Sequence, residues 1–156
     1  MLKLKPVSAV LAAIGLSCAL LSLPARAQDG VHTVASESPF EQVMADLEDA
    51  IVNRGLVVDH RGRVGEMLER TAADVGGTRL YRNAEFLQFC SAVMSRKAME
   101  ADIRNIAYCP YVVFAYEAEA KPGEVTLGFR ELPAGPGRDE VNALLAEIVE
   151  QAADGL

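Results

Sequence analysis

Two cysteines, Cys90 and Cys109, are the residues of this chain best placed to do chemistry. Cys90 ends the apolar run Phe86-Leu87-Gln88-Phe89 and precedes Ser91, a residue suited to cap a helix. Free amides and the dipole at a helix start favour an anion, so a thiol there is drawn toward the reactive thiolate. Cys109 precedes Pro110, which keeps the cysteine backbone extended, and a second apolar run, Tyr111 to Phe114, follows. With Cys90 attacking and Cys109 resolving, the pair would carry thiol–disulfide exchange. A structural bridge and two separate buried thiols are the plainer readings.

Which reading holds depends on how the flanking strands run. If they are parallel, the cysteines lie at opposite sheet edges, about 20 Å apart over a six-residue strand. A bridge needs Cα atoms roughly 4.4–6.8 Å apart. If the strands are antiparallel, both cysteines lie on one edge and can meet.

Other candidates cluster nearby. Ser91, Asn105, Tyr108 and Tyr111 flank the cysteines and could line a ligand pocket with polar tips. Each also has a structural role open to it, as helix cap, helix end or core-edge tyrosine with its hydroxyl in water. His60, in Asp59-His60-Arg61-Gly62, reads as a turn residue able to bind a ligand or move a proton. His32, the other histidine, carries less weight. Zinc or copper on Cys90, Cys109 and His60 would need ligands far apart in sequence, so no metal and no cofactor is expected. The chain has no GxSxG, HExxH, P-loop or dinucleotide glycine fingerprint. Its paired carboxylates fall on outward helix positions, where solvation is the ordinary role.

The elements that must position these residues follow from periodicity. Val31 to Ala35 reads as a short first strand. Ser38-Pro39-Phe40-Glu41 spells a helix start, with serine as cap, proline in the first turn and glutamate closing a capping box. Phe40, Val43, Met44, Leu47 and Ile51 follow at helical spacing, and Gly55 supplies the left-handed stop. Leu56 to Val58 predicts a strand and Asp59 to Gly62 a turn. Val64, Met67, Leu68 and Val75 predict a second helix, closed by Gly76-Gly77. Glu85 to Phe89 is the next strand, and the third helix turns Val93, Met94, Ala98 and Ala101 inward. Val112–Glu117 and Glu124–Phe129 form a hairpin through Pro122-Gly123. A last helix from about Asp139 buries Val141, Leu144, Leu145, Ile148 and Val149. The order βαβαβαββα predicts an α+β sandwich of helices on one face of a mixed or antiparallel sheet.

Length suits one domain, at 38–156, after two leading segments. Residues 1–27 have the pattern of a secretory signal peptide: Lys3 and Lys5, an apolar run from Val7 to Leu23, and Ala25-Arg26-Ala27 before Gln28. The expected address is therefore periplasmic or secreted, with cleavage after Ala27 and no membrane anchor kept. A lipoprotein reading through Cys18 is weak, because Gly15 stands where a branched aliphatic residue is usual. Residues 28–37 hold the first strand. Cleavage removes Lys3, Lys5 and Arg26, leaving 12 basic and 22 acidic groups, a formal charge of −10. Such a field repels phosphate backbones and anionic lipid, so nucleic acid and membrane are not expected partners. Only Cys90 and Cys109 survive cleavage, and in an oxidising compartment two cysteines commonly pair.

Taken together, Asn53-Arg54-Gly55-Leu56, Glu85 to Ala92, Met99 to Asp102 and Cys109 to Glu117 resemble the DUF302 family, from about Ser38 to Leu132. The resemblance implies a small α+β fold with a curved, largely antiparallel sheet, and a homodimer as one form of partnership. It favours the antiparallel arrangement in which the two sulfurs meet. It brings no established activity, since the domain is one of unknown function. Many members have Asn-Pro after the strand that here ends Cys90-Ser91, and Pro-Cys where this chain has Pro110-Tyr111, so family sites do not transfer directly. The expectation is a non-enzymatic module binding a small ligand or a periplasmic protein around Cys90 and Cys109. Thiol–disulfide exchange through the same pair is the alternative.

Overall fold

The structure, a computed structural model, describes residues 30–155. The expected signal peptide, 1–27, lies outside the described residues. Five strands form one antiparallel sheet in the order β1-β5-β4-β3-β2: β1 Val31–Ser36, β2 Val57–Arg63, β3 Tyr81–Cys90, β4 Tyr111–Ala118 and β5 Val125–Arg130. Four helices join them: α1 Phe40–Val52, α2 Val64–Val75, α3 Ala92–Ala101 and α4 Asp139–Asp154. The predicted α+β class and element order hold, with one addition, a 3-10 helix at Ile103–Tyr108.

Alternation along the strands sets the core. Leu87 and Phe89 on β3, Val113 on β4 and Leu127 and Phe129 on β5 point to one face. That face is roofed by Met44, Leu47 and Ile51 of α1 and Leu145 and Ile148 of α4, and α1 and α4 also pack on each other. Each such side chain contributes roughly 1.5–3 kcal/mol of burial. The apolar spacing of α1 and α4 is thus what fixes the layer over the sheet.

Five local expectations change. No capping box forms at Ser38: α1 starts at Phe40 without a side-chain cap, and Pro39 is the N-cap. Ser38 instead donates its N–H to Ser36 Oγ at 3.3 Å. Asp59 to Gly62 is not a turn but part of β2, which pairs with β3 through a bulge between Val58 and His60. Its polar composition fits an edge strand whose Arg61 and Arg63 meet Glu85 of β3. Strand β3 starts four residues before the predicted Glu85, at Tyr81. In α3 the buried side is Ser95 and Ala98, while Val93 is 75% exposed and Ala101 is exposed. Tyr111 does not keep its hydroxyl in water: it is 3% exposed and faces Ser95.

The opposite face of the sheet has no such roof. Gly65 brings the first turn of α2 against β3, where a Cβ would stand 2.9 Å from the Ala84 backbone nitrogen. Helix α2 buries no residue completely, and Met67 and Val75 are exposed. No helix of the described residues is long and apolar enough to cross a membrane.

Candidate functional site

Strands β3 and β4 are antiparallel, so the end of one and the entry to the other share a sheet edge. Cys90 and Cys109 meet there as a disulfide, with Cα atoms 6.4 Å apart. The free-thiol reading is overturned, and with it thiolate ligands for a Cys90/Cys109/His60 metal set. Among the described residues no cluster of three or more His, Cys, Asp and Glu could hold a metal ion. Cys109 is extended as its following proline requires, and the Cys109–Pro110 peptide is cis.

The polar residues around the bridge are largely engaged in building its support. Ser91 caps α3, its hydroxyl accepting from the Met94 N–H at 3.3 Å. Asn105, 3% exposed, donates through Nδ2 to the carbonyls of Ala98 (2.7 Å) and Pro136 (3.0 Å), and its Oδ1 accepts from Arg138 Nε. The Arg138 guanidinium also lies 4.6 Å over the Tyr108 ring. The Tyr111 hydroxyl is 3.1 Å from Ser95 Oγ, which is itself 3.7 Å from Cys109 Sγ. Asp102 caps the 3-10 helix, accepting from the Arg104 N–H at 3.0 Å. Hydrogen bonding from the Arg104 guanidinium, then from its N–H, holds the Asp102 carboxyl down to about 2. Thus Ser91, Asn105, Tyr108, Cys109 and Tyr111 are brought together, as one stapled excursion from the sheet.

His60 belongs to a different setting. It lies on β2 opposite Gln88 of β3, and its ring lies 5.7 Å from that of Phe86. Phe86 is the register partner of Phe114, and Ala84 of Tyr116. Phe114 stacks on Tyr116 at 6.3 Å and 14°, and Tyr81 meets Tyr116 edge-on at 5.6 Å. These rings form a half-exposed row across the unroofed face. Alternation puts Cys90 on the same side as Phe86 and Gln88, so the row begins below the bridge. Glycine makes room for it. A Cβ at Gly62 would sit 2.3 Å from the Phe86 ring, and one at Gly128 would sit 3.0 Å from Phe114 Cζ.

Beside the row lies a cleft of 230 Å³ lined by Val64, Tyr81, Ala84, Glu85, Phe86, Phe114, Ala115 and Tyr116. Glu85 faces the other way: Arg61 hydrogen-bonds it on the core side, and that bond is the main cause raising the Arg61 pKa. The aromatic row was not singled out from sequence. Its signal is the run Val112-Val113-Phe114-Ala115-Tyr116, apolar at every position, which in an antiparallel sheet leaves one apolar set without the core to face.

A single antiparallel sheet with α1 and α4 on one face defines an α+β domain. The family model described as "Domain of unknown function DUF302" matches residues 32–154, and the chain belongs to the DUF302 family. It is similar to the crystal structure of an uncharacterized conserved protein DUF302 from Bacillus stearothermophilus. The likeness has a TM-score of 0.63 and 14% identity, and covers 80% of this chain and 98% of that one. No curated protein sequence matches the chain.

Proposed function

We propose that this DUF302 protein is exported and acts as a non-enzymatic module that binds a small ligand or partner on the sheet face running down from the Cys90–Cys109 bridge. The observation that carries the reading is the Phe86–Phe114 pair. It places two half-exposed rings side by side on a face that α1 and α4 leave uncovered. Apolar surface held open in this way, at a cost in hydrophobic burial, favours a binding role. The bridge then acts as a staple that holds the β3–β4 excursion in place, a use suited to an oxidising compartment. Export rests on the signal pattern at 1–27.

The test is native mass spectrometry of protein isolated without denaturation, beside the Phe114→Ala variant. A retained small molecule or partner, lost in a variant that still melts cooperatively, is the expected result. Equal retention by both proteins places the site elsewhere.

A second reading, thiol–disulfide exchange through Cys90 and Cys109, draws on Ser95 Oγ, 3.7 Å from Cys109 Sγ. That hydroxyl could donate to a thiolate on Cys109. Reduction of a disulfide substrate by the reduced protein, abolished in Cys90→Ser, would favour this reading.

A further inference from the structure

Resting on the binding reading above, we infer that the ligand is a flat, uncharged molecule of one or two fused rings, held in the cleft between the Phe86–Phe114–Tyr116 row and the start of α2. Size sets the first limit. The 230 Å³ cleft is smaller than the roughly 300–1,000 Å³ of sites for drug-sized ligands. A mono- or bicyclic molecule fits that space, and an inserted helix or strand does not.

Shape sets the second. Phe114 and Tyr116 are within 14° of parallel and stack on each other with centroids 6.3 Å apart, and Tyr81 is turned edge-on to Tyr116. A planar guest can therefore extend that stack in offset contact with one open ring face while meeting another ring at its edge. The platform is also fixed before binding. The Phe86 ring fills the space beside Gly62, and Gly65 seats α2 against Ala84, which sets Val64 as the wall. A preformed site costs little ordering entropy on binding.

Charge sets the third. Glu85 is the only ionisable carboxylate or base among the lining residues, and Arg61 and Arg63 neutralise it from the core side. A charged guest would give up water for a lining with no counter-charge turned toward it.

The chain contains no tryptophan, so indole fluorescence can be followed with tyrosine unexcited. The experiment titrates indole into the protein by fluorescence anisotropy and by amide NMR shifts, with indole-3-acetate and tryptamine as charged comparisons. Two variants narrow the cleft. Ala84→Leu fills it from the floor, and Val64→Phe fills it from the exposed helix start should the first variant fail to fold. Saturable indole binding is expected, with shifts centred on Phe86, Phe114 and Tyr116. A folded cleft-filling variant, and each charged analogue, should bind roughly tenfold more weakly, about what losing one good aromatic contact and its burial does. Absence of saturable indole binding overturns the inference, as does equal binding by the filled variant or the charged analogues. Indole binding whose shifts fall away from the row overturns it too, yet leaves the wider binding reading intact. That reading fails separately, if nothing retained by the isolated protein depends on Phe114.

Discussion

Arg138 Nε donates a 2.7 Å hydrogen bond to Asn105 Oδ1, tying the loop before α4 to the 3-10 helix that leads into β4. The same amide holds Ala98 of α3 and Pro136, so one buried side chain joins α3 and the 3-10 helix to a loop 31 residues further along the chain. Asn105→Ala removes its donors and acceptor together and leaves buried partners unsatisfied. Urea unfolding should show a loss of about 2–3 kcal/mol. Asn105→Asp should cost at least as much, because it turns a carboxylate toward two carbonyls.

The Cys90–Cys109 staple closes a loop with a sequence separation of 19. Closing a loop of that length in the unfolded chain contributes about 3 kcal/mol. Cys90→Ser with Cys109→Ser should lower the unfolding free energy from urea titration by about that amount without changing far-UV circular dichroism. Hydrogen exchange in the double variant should speed up mainly from α3 to the start of β4.

Acid should destabilise the protein through Asp102. Its folded pKa, about 2, lies below the ordinary 3.8, so its contribution is complete above that value and is lost as pH falls toward 2. Glu117 is lowered in the same sense, chiefly by the Gly123 N–H. Urea midpoints measured at about pH 5 and about pH 2.5 should differ, and Asp102→Asn should shrink the difference. An unchanged difference would detach the acid limb from this cap.

Gly62→Ala tests whether the aromatic row has a fixed seat. The added methyl would stand 2.3 Å from the Phe86 ring, which must swing away from β2. A loss of about 1–3 kcal/mol is expected from such overpacking. Ring-proton shifts of Phe86 and His60 should move with it.

The helices α1 and α4 were legible because their apolar residues recur every three or four positions and pack on a single sheet face. The hairpin was legible through Pro122-Gly123, where Gly123 takes the left-handed conformation. Strand β2 was legible only at Val57-Val58, since Asp59 to Arg63 sits at a sheet edge and is satisfied by ion pairs that local composition cannot show. The capping box failed because Ser36, not Ser38, is the serine engaged at that corner, with its hydroxyl donating to Ala153 of α4 at 3.4 Å. The cysteine pairing was left open by spacing alone and was decided by strand direction. The polar residues near it in sequence also lie near it in the fold, but Asn105 and Tyr111 point inward to partners that only the tertiary fold supplies. His60 joined a different neighbourhood once the predicted turn became a strand.

The central claim, an exported module closed by a structural staple, is tested most directly by intact mass of the protein recovered from its native compartment, alkylated before and after reduction. The account predicts a chain beginning at Gln28 that takes up no alkyl group before reduction and labels at both Cys90 and Cys109 after it. A full-length chain, or free thiols at both positions before reduction, would contradict it.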